Sequence, residues 1–470
     1  MNLLSAVTFG SLMTVASCLT SAAQTPALPD TIDRFIRAEL ARQRIPGMSV
    51  AVVRGNRVLL ARGYGFADPD RRIPATDSTI YPVGSLTKPF TAAGIVLLAR
   101  QNRLGLDDPI TRYLPERSVW SRVTIRHLLT HTSGIPQDTT LDLVREYSEA
   151  ELVRSAARPL QFNPGELQSY SSTGYVLLGV IIHRVSGQVW GDFLRDRIFR
   201  PLQMAGARVN SDTASVPRAV GYYRVNDTLQ IPDPVSVSNN STADCCLSVS
   251  VLDLARWTIG LNQAKVLGRA GLELSWTPVR LNDGGAYPYG LGWNLLEQRG
   301  YRRIGHSGAW LGCHATLQHY PDYGMTVIVL LNLGQANSEG IAVGIAGLVE
   351  PALTPPHLVA GGLGGESPPT SIERLLSDIA SNREGGLVTP EFRATFPQPR
   401  RELIGSFLQM IHTWTPLGCE DVRDRGISRL RSKIEHTCYT KGTGKNASWL
   451  FTVLYESGWR AAGLDNVFGI

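Results

Sequence analysis

A chain of 470 residues is too long for a lone small module and, at roughly 150 residues per domain, fits one large body with a satellite. Its 43% hydrophobic and 18% charged residues supply a packed core and exclude low-complexity disorder. The formal charge of +6 comes from scattered basic residues with no run that would grip a phosphate backbone, so nucleic acid is not an expected partner.

Residues 3–19 form an apolar run followed by Thr20-Ser21-Ala22-Ala23-Gln24, with small residues placed for a cut after Ala23. This predicts an export signal over 1–23 and a periplasmic or extracellular address. Val15-Ala16-Ser17-Cys18 also fits a lipobox, in which Cys18 is acylated and anchors the chain to a membrane. Helical spacing over 30–45 precedes two alternating strands, Met48 to Arg54 and Arg57 to Gly65, joined across Gly55-Asn56. Helical patterns follow at 86–101, 123–129, 149–157, 174–185 and 251–261. Strand signals return at 289–296, 302–307, 314–320 and 326–331, and an apolar helix runs over 338–349. This order predicts an α+β fold, an antiparallel sheet with flanking helices and a helical region. The Pro- and Gly-rich stretch 354–369 reads as a linker between a body at 24–353 and a small α+β domain at 370–470. That domain opens with helices at 372–380 and 401–411 and ends in strands near 429–439 and 449–461. It resembles cystatin-like or nuclear-transport-factor-like accessory folds.

In an oxidising compartment Cys419 is expected to pair with Cys438, and Cys313 with one of the vicinal Cys245 and Cys246. A zinc site from Cys245, Cys246, Cys313 and His314 lacks the usual ligand spacing, so neither metal nor cofactor is expected. His127 and His131 stand four apart, as in zinc-binding helices, but Leu-Leu-Thr between them supplies no Glu base, and both read as structural.

Lys88, Lys265, Lys433, Lys441 and Lys445 are the only lysines among 46 basic residues. Where surface charge is made with Arg, a retained Lys is a candidate for chemistry that needs a proton to leave. Lys88 is the only one with a Ser three residues before it, in Ser85-Leu86-Thr87-Lys88 at the mouth of an apolar helix. The spacing puts both side chains on one helical face, where the amine reaches the hydroxyl. A second element is Tyr170-Ser171-Ser172, after the turn Asn163-Pro164-Gly165-Glu166. A phenol is a poor base unless nearby positive charge stabilises the phenolate; on its own this Tyr reads first as a half-buried packing residue. The third is the strand Arg303-Ile304-Gly305-His306-Ser307-Gly308-Ala309-Trp310, with His306 and Gly308 on one face and Ser307 on the other. Its Gly305 to Ala309 portion nearly matches a nucleophile elbow centred on Ser307, but strand and turn follow where that elbow needs a helix.

Together the three elements resemble the serine β-lactamase, penicillin-binding protein and esterase superfamily, most closely its class C-like branch. His127-Leu128-Leu129-Thr130-His131-Thr132-Ser133-Gly134 matches a signature of that group, and Leu252 to Trp257 and Asn163-Pro164-Gly165 fit it as well. The resemblance spans roughly 30–350 and implies a β-lactamase/transpeptidase-like fold. It implies that Ser85 is the acylated nucleophile, and that Lys88 and Tyr170 share the general acid/base role. The N–H groups of Ser85 and Ala309 would form the oxyanion hole. Ser172, His306, Ser307 and Gly308 would meet the substrate. Two departures matter: Ser172 stands where the family usually has Asn, and His306 where penicillin-recognising members have Lys. Both favour esters or small amides over substrates that need a carboxylate grip. The expected function is an exported serine hydrolase of a small ester, amide or peptide. The alternatives are a D-Ala-D-Ala carboxypeptidase or β-lactamase, and a catalytically inactive binding or sensor module.

Overall fold

The central strand Met325–Leu331 is apolar at nearly every position and buried along its whole length, the pattern of a strand covered on both faces. It lies inside a seven-stranded antiparallel sheet in the order Asn294–Gln298, Tyr301–Trp310, Cys313–Tyr320, Met325–Leu331, Gly47–Arg54, Arg57–Asp68, Ile73–Pro74. Helices Leu28–Gln43 and Ser338–Val349 close one face around Val50, Val52, Val327 and Ile345. The other face packs on a helical region built around Lys88–Arg100, Ser172–Ser186 and Val251–Asn262. This computed structural model describes residues 28–469 apart from 117, 138–141, 211–217, 357–362, 364, 397, 426–427, 430–431 and 446–447. The export signal, the lipobox and Cys18 lie outside the described residues, as does part of the linker. No helix among the described residues is long and apolar enough to cross a membrane.

The α+β class is as expected, and the first hairpin forms where predicted, with Arg54 opposite Arg57 and Gly55 at φ 57° in the two-residue turn. The strand expected over 289–296 forms instead at Asn294–Gln298. Gly292, at φ 79°, turns the chain there, so Tyr289 keeps a single bridge to Asn294.

The C-terminal region is an antiparallel sheet, Thr413–Asp421, His436–Thr443, Ser448–Tyr455 and Ala461–Gly469, packed by Ile372–Ala380, Pro390–Ala394 and Gln398–Leu408. Thr413–Asp421 has no counterpart in the sequence reading. It carries Pro416 and Gly418 at a register shift, which an edge strand tolerates and an interior strand does not. The region docks on the Arg299-Gly300 turn, where Arg299 pairs with Glu420 at 2.6 Å and Tyr439 donates to the same carboxylate at 2.8 Å.

Cys419 and Cys438 face one another in register and are bonded. The expected bond to Cys313 is not formed: Cys245 bonds its neighbour Cys246, and Cys313 remains a free thiol. Cys313 is fully buried in the sheet core, and burial pushes its thiol up to about 12. With the two vicinal sulfurs joined, the zinc reading loses two of its three thiol donors.

Candidate active site

Ser85 sits in a single 3-10 turn, Gly84–Thr87, that feeds directly into the helix Lys88–Arg100. Residues three apart eclipse in such a turn, and Lys88 Nζ donates to Ser85 Oγ at 3.0 Å. Pro89 lies in the first turn of the helix, where a missing N–H costs nothing. Lys88 is fully buried, so its amine needs polar partners. It has three: Ser85 Oγ, Ser172 Oγ at 3.1 Å and the Asp244 carbonyl at 2.8 Å. The 243–247 segment is stitched to the same helix end, because Thr91 donates to the Ala243 carbonyl and the Leu247 N–H donates to Thr87.

Ser172 opens the helix Ser172–Ser186, with its N–H donating to Gln137 at 2.6 Å. Tyr170 precedes it, 42% exposed and turned to the cleft, its ring centroid 4.9 Å from Lys88 Nζ. The turn 130–134 clamps this segment. Gly165 N–H donates to the Thr132 carbonyl, Ser169 N–H to the His131 carbonyl, and Ser171 N–H to His131 Nδ1 at 3.1 Å. His131 takes a left-handed φ of 58° and lies 4.2 Å, ring to ring, from Tyr170. The structural reading therefore holds for His127, which completes a capping box with Thr124. It holds for His131 as well, whose two ring nitrogens meet the Ser171 N–H and Tyr289 Oη, and whose ring also forms part of the site wall. Its place in the family signature was the available signal; the Asp244 carbonyl, Gln137 and Tyr289 had none.

The strand Tyr301–Trp310 supplies the opposite wall. A two-residue turn, Leu311-Gly312, makes Trp310 and Cys313 a hydrogen-bonded pair, so Ser307 and Ala309 turn their backbone groups toward the other edge. On that edge the neighbouring strand stops at Gly305, leaving the Ala309 N–H for the Ser85 turn. The approach is close: a Cβ on Gly84, which has φ 53°, would lie 2.5 Å from Ala309 N. A Cβ on Gly308 would lie 2.6 Å from Leu86 N and closer still to Ser85 N and the Val83 carbonyl. No helix follows Ser307, so the nucleophile-elbow reading is not met. Ser307 contributes its carbonyl, which accepts from His306 Nδ1 at 2.6 Å.

His306 is 3% exposed, and its other nitrogen meets Tyr289 Oη at 3.2 Å. Burial, helped by the charge of Lys88, pushes its imidazole down to about 3. The position that could have held a cation is thus neutral at ordinary pH. Beside Ser85 a cavity of about 380 Å³ opens, walled by Leu152, Val176 and Trp310 with Ser155, Asn239 and Asp244.

The Beta-lactamase family model matches residues 32–347. The chain belongs to the beta-lactamase family. With it, the chain is a serine hydrolase. Penicillin-binding protein 4* of Bacillus subtilis (strain 168) is 34% identical over 307 residues, covering 60% of this chain and 67% of that protein. Protein flp of Staphylococcus aureus (strain MW2) is 30% identical over 323 residues, covering 66% and 63%. Among solved structures, the octameric penicillin-binding protein homologue from Pyrococcus abyssi shares the fold over 92% of this chain and 94% of its own, at TM-score 0.63 and 23% identity. D-amino acid amidase from Ochrobactrum anthropi SV3, complexed with D-phenylalanine, aligns over 69% and 98%, at TM-score 0.59 and 25% identity.

Proposed function

We propose that this beta-lactamase family member is an exported hydrolase that forms an acyl-enzyme on Ser85, with carboxylic esters or small amides as substrates. The observation that carries the reading is the contact of Lys88 Nζ with both Ser85 Oγ and Ser172 Oγ beside the open edge of Tyr301–Trp310. Lys88 first gives up one proton to solvent; its neutral amine then takes the Ser85 proton as Oγ attacks the carbonyl carbon, and the Tyr170 hydroxyl shares the transfer toward the leaving group. The developing oxyanion lies between the N–H groups of Ser85 and Ala309, a pair of donors each worth about 2.7–4 kcal/mol in such sites. Collapse returns the proton to the leaving oxygen or nitrogen, and water then releases the acid by the same steps. Export rests on the apolar run and small-residue site at 3–23.

The neutral His306 supports substrates without a carboxylate grip. The amidase relative, whose structure holds D-phenylalanine, fits a small-amide substrate. The similarity to a protein named for penicillin binding favours a second reading, a D-Ala-D-Ala carboxypeptidase or β-lactamase. One panel separates them: a short-chain chromogenic ester, an amino acid amide, a D-Ala-D-Ala peptide, a penicillin and a cephalosporin, with fluorophosphonate labelling of the acyl site. Turnover of ester and amide, lost in Ser85→Ala, is expected. Wild-type labelling and turnover in Ser85→Ala would refute the nucleophile; turnover of the penicillin or the peptide alone would replace the substrate class.

A further inference from the structure

Behind Tyr170 a line of buried groups crosses from one wall of the cleft to the other. Ser171 N–H meets His131 Nδ1 at 3.1 Å, and His131 Nε2 meets Tyr289 Oη at 3.2 Å. Tyr289 Oη meets His306 Nε2 at 3.2 Å, and His306 Nδ1 meets the Ser307 carbonyl at 2.6 Å. Both ends are backbone, and that fixes the protons in between. An amide only donates, so His131 accepts at Nδ1 and carries its proton on Nε2. A carbonyl only accepts, so His306 carries its proton on Nδ1 and accepts at Nε2. Tyr289 therefore accepts from one imidazole and donates to the other. Tyr175 also neighbours the Tyr289 hydroxyl, but its own proton goes to the Leu129 carbonyl at 2.7 Å, and neither tautomer is altered. The arrangement requires both imidazoles to be neutral, and burial with the nearby charge of Lys88 lowers both.

We propose that His131, Tyr289 and His306 are positioning residues for the reaction, a one-way hydrogen-bond chain that sets the acid/base wall against the oxyanion wall. This rests on the assignment of Ser85, Lys88 and Tyr170 made above. At one end His131 holds the amide between Tyr170 and Ser172 and lies against the Tyr170 ring. At the other, His306 holds the carbonyl two residues before Ala309. Tyr289 is 1% exposed, and without its hydroxyl a buried N–H and a buried ring nitrogen lose their partners. His306 is then free to change tautomer and release Ser307.

Tyr289→Phe in the full chain keeps the ring and removes the hydroxyl. The expected result is a fall in kcat for the chromogenic ester of roughly tenfold to hundredfold with KM held within about twofold, the split of an interaction used in the transition state. Imidazole nitrogen NMR of the wild-type chain is expected to show His131 protonated on Nε2 and His306 on Nδ1, with the His306 pattern changed in Tyr289→Phe. Unchanged kcat in folded Tyr289→Phe, or one tautomer shared by both imidazoles in the wild type, overturns the proposal. A loss of thermal stability alone, with kcat and tautomers intact, assigns the chain to packing and also overturns it. Should the variant fail to fold, the wild-type tautomers decide. Activity surviving in Ser85→Ala would instead refute the assignment of the nucleophile and leave the tautomer result standing.

Discussion

Gly308→Ala adds one methyl group where the oxyanion wall meets the nucleophile turn. The added Cβ would lie 2.6 Å from Leu86 N, with Ser85 N and the Val83 carbonyl nearer still, whereas real Cβ atoms essentially never come within 3.0 Å. All three neighbours are backbone, so no side chain can swing aside. Gly308 lies in a regular strand and not in the left-handed region, so alanine fits its local conformation and the strain comes only from the approach. Relief means separating strand from turn, which draws the Ser85 and Ala309 N–H groups off a common oxygen. Loss of one such donor costs about 2.7–4 kcal/mol, a fall of about 10²–10³ in kcat. Gly187→Ala is the counterpart: Gly187 ends the helix Ser172–Ser186 at φ 74° with open space around it, so alanine there costs about 1 kcal/mol of stability and no activity. Ester hydrolysis and thermal unfolding on both variants give the test. A folded Gly308→Ala with kcat/KM within about threefold of wild type would refute the oxyanion geometry.

Lys88→Arg keeps the charge but not the capacity to give up a proton, and is expected to slow acylation by about 10²–10⁴, read by stopped-flow labelling with circular dichroism confirming the fold. Stability is expected to fall as pH drops from 7.5 to 5: His306 and His319 are held near 3 and 4 by burial, so the unfolded chain binds the extra protons. Each such imidazole costs about 2 kcal/mol at pH 5, read as a lower urea midpoint; an unchanged midpoint would contradict their neutrality. Breaking Cys419–Cys438, which closes a sequence separation of 19, in a Cys419→Ser/Cys438→Ser variant is expected to destabilise the C-terminal region by about 3 kcal/mol through loop entropy, seen as an earlier calorimetric transition.

The parts of the site that are legible in the sequence are those whose chemistry is local. Ser85 and Lys88 lie within one turn, and a lysine-poor chain makes the pair visible. Long apolar periods give the body's helices, and the Gly55-Asn56 turn gives its first hairpin. Contacts made through backbone atoms leave no such mark. The Asp244 carbonyl that holds Lys88 could belong to any residue type. Tyr289 sits among residues with strand-like spacing, and its role arises only because the turn after it brings the ring between two histidines distant in sequence. Thr413–Asp421 was hidden by Pro416 and Gly418, which argue against a strand unless its place at the edge is known. Cys245 and Cys246 offered no spacing to suggest a bond between neighbours.

The electrostatics of the cleft follow from a single buried ammonium. Lys88 is committed to Ser85, Ser172 and Asp244, and its charge helps to hold both His131 and His306 neutral. A proton added to His131 would set an N–H against the Ser171 N–H, and one added to His306 would set an N–H against the proton of Tyr289. Charge repulsion and hydrogen-bond order therefore act in the same direction. A substrate carboxylate entering this cleft would leave water without finding a free cation at position 306, a transfer that is costly unless the charge is paired. An uncharged ester or amide gives up far less hydration and would still present a carbonyl to the N–H groups of Ser85 on its turn and Ala309 at the strand edge. Under the proposed function the histidine at 306 would shape substrate choice through the charge it does not carry, a state favoured by its burial and by the charge of Lys88.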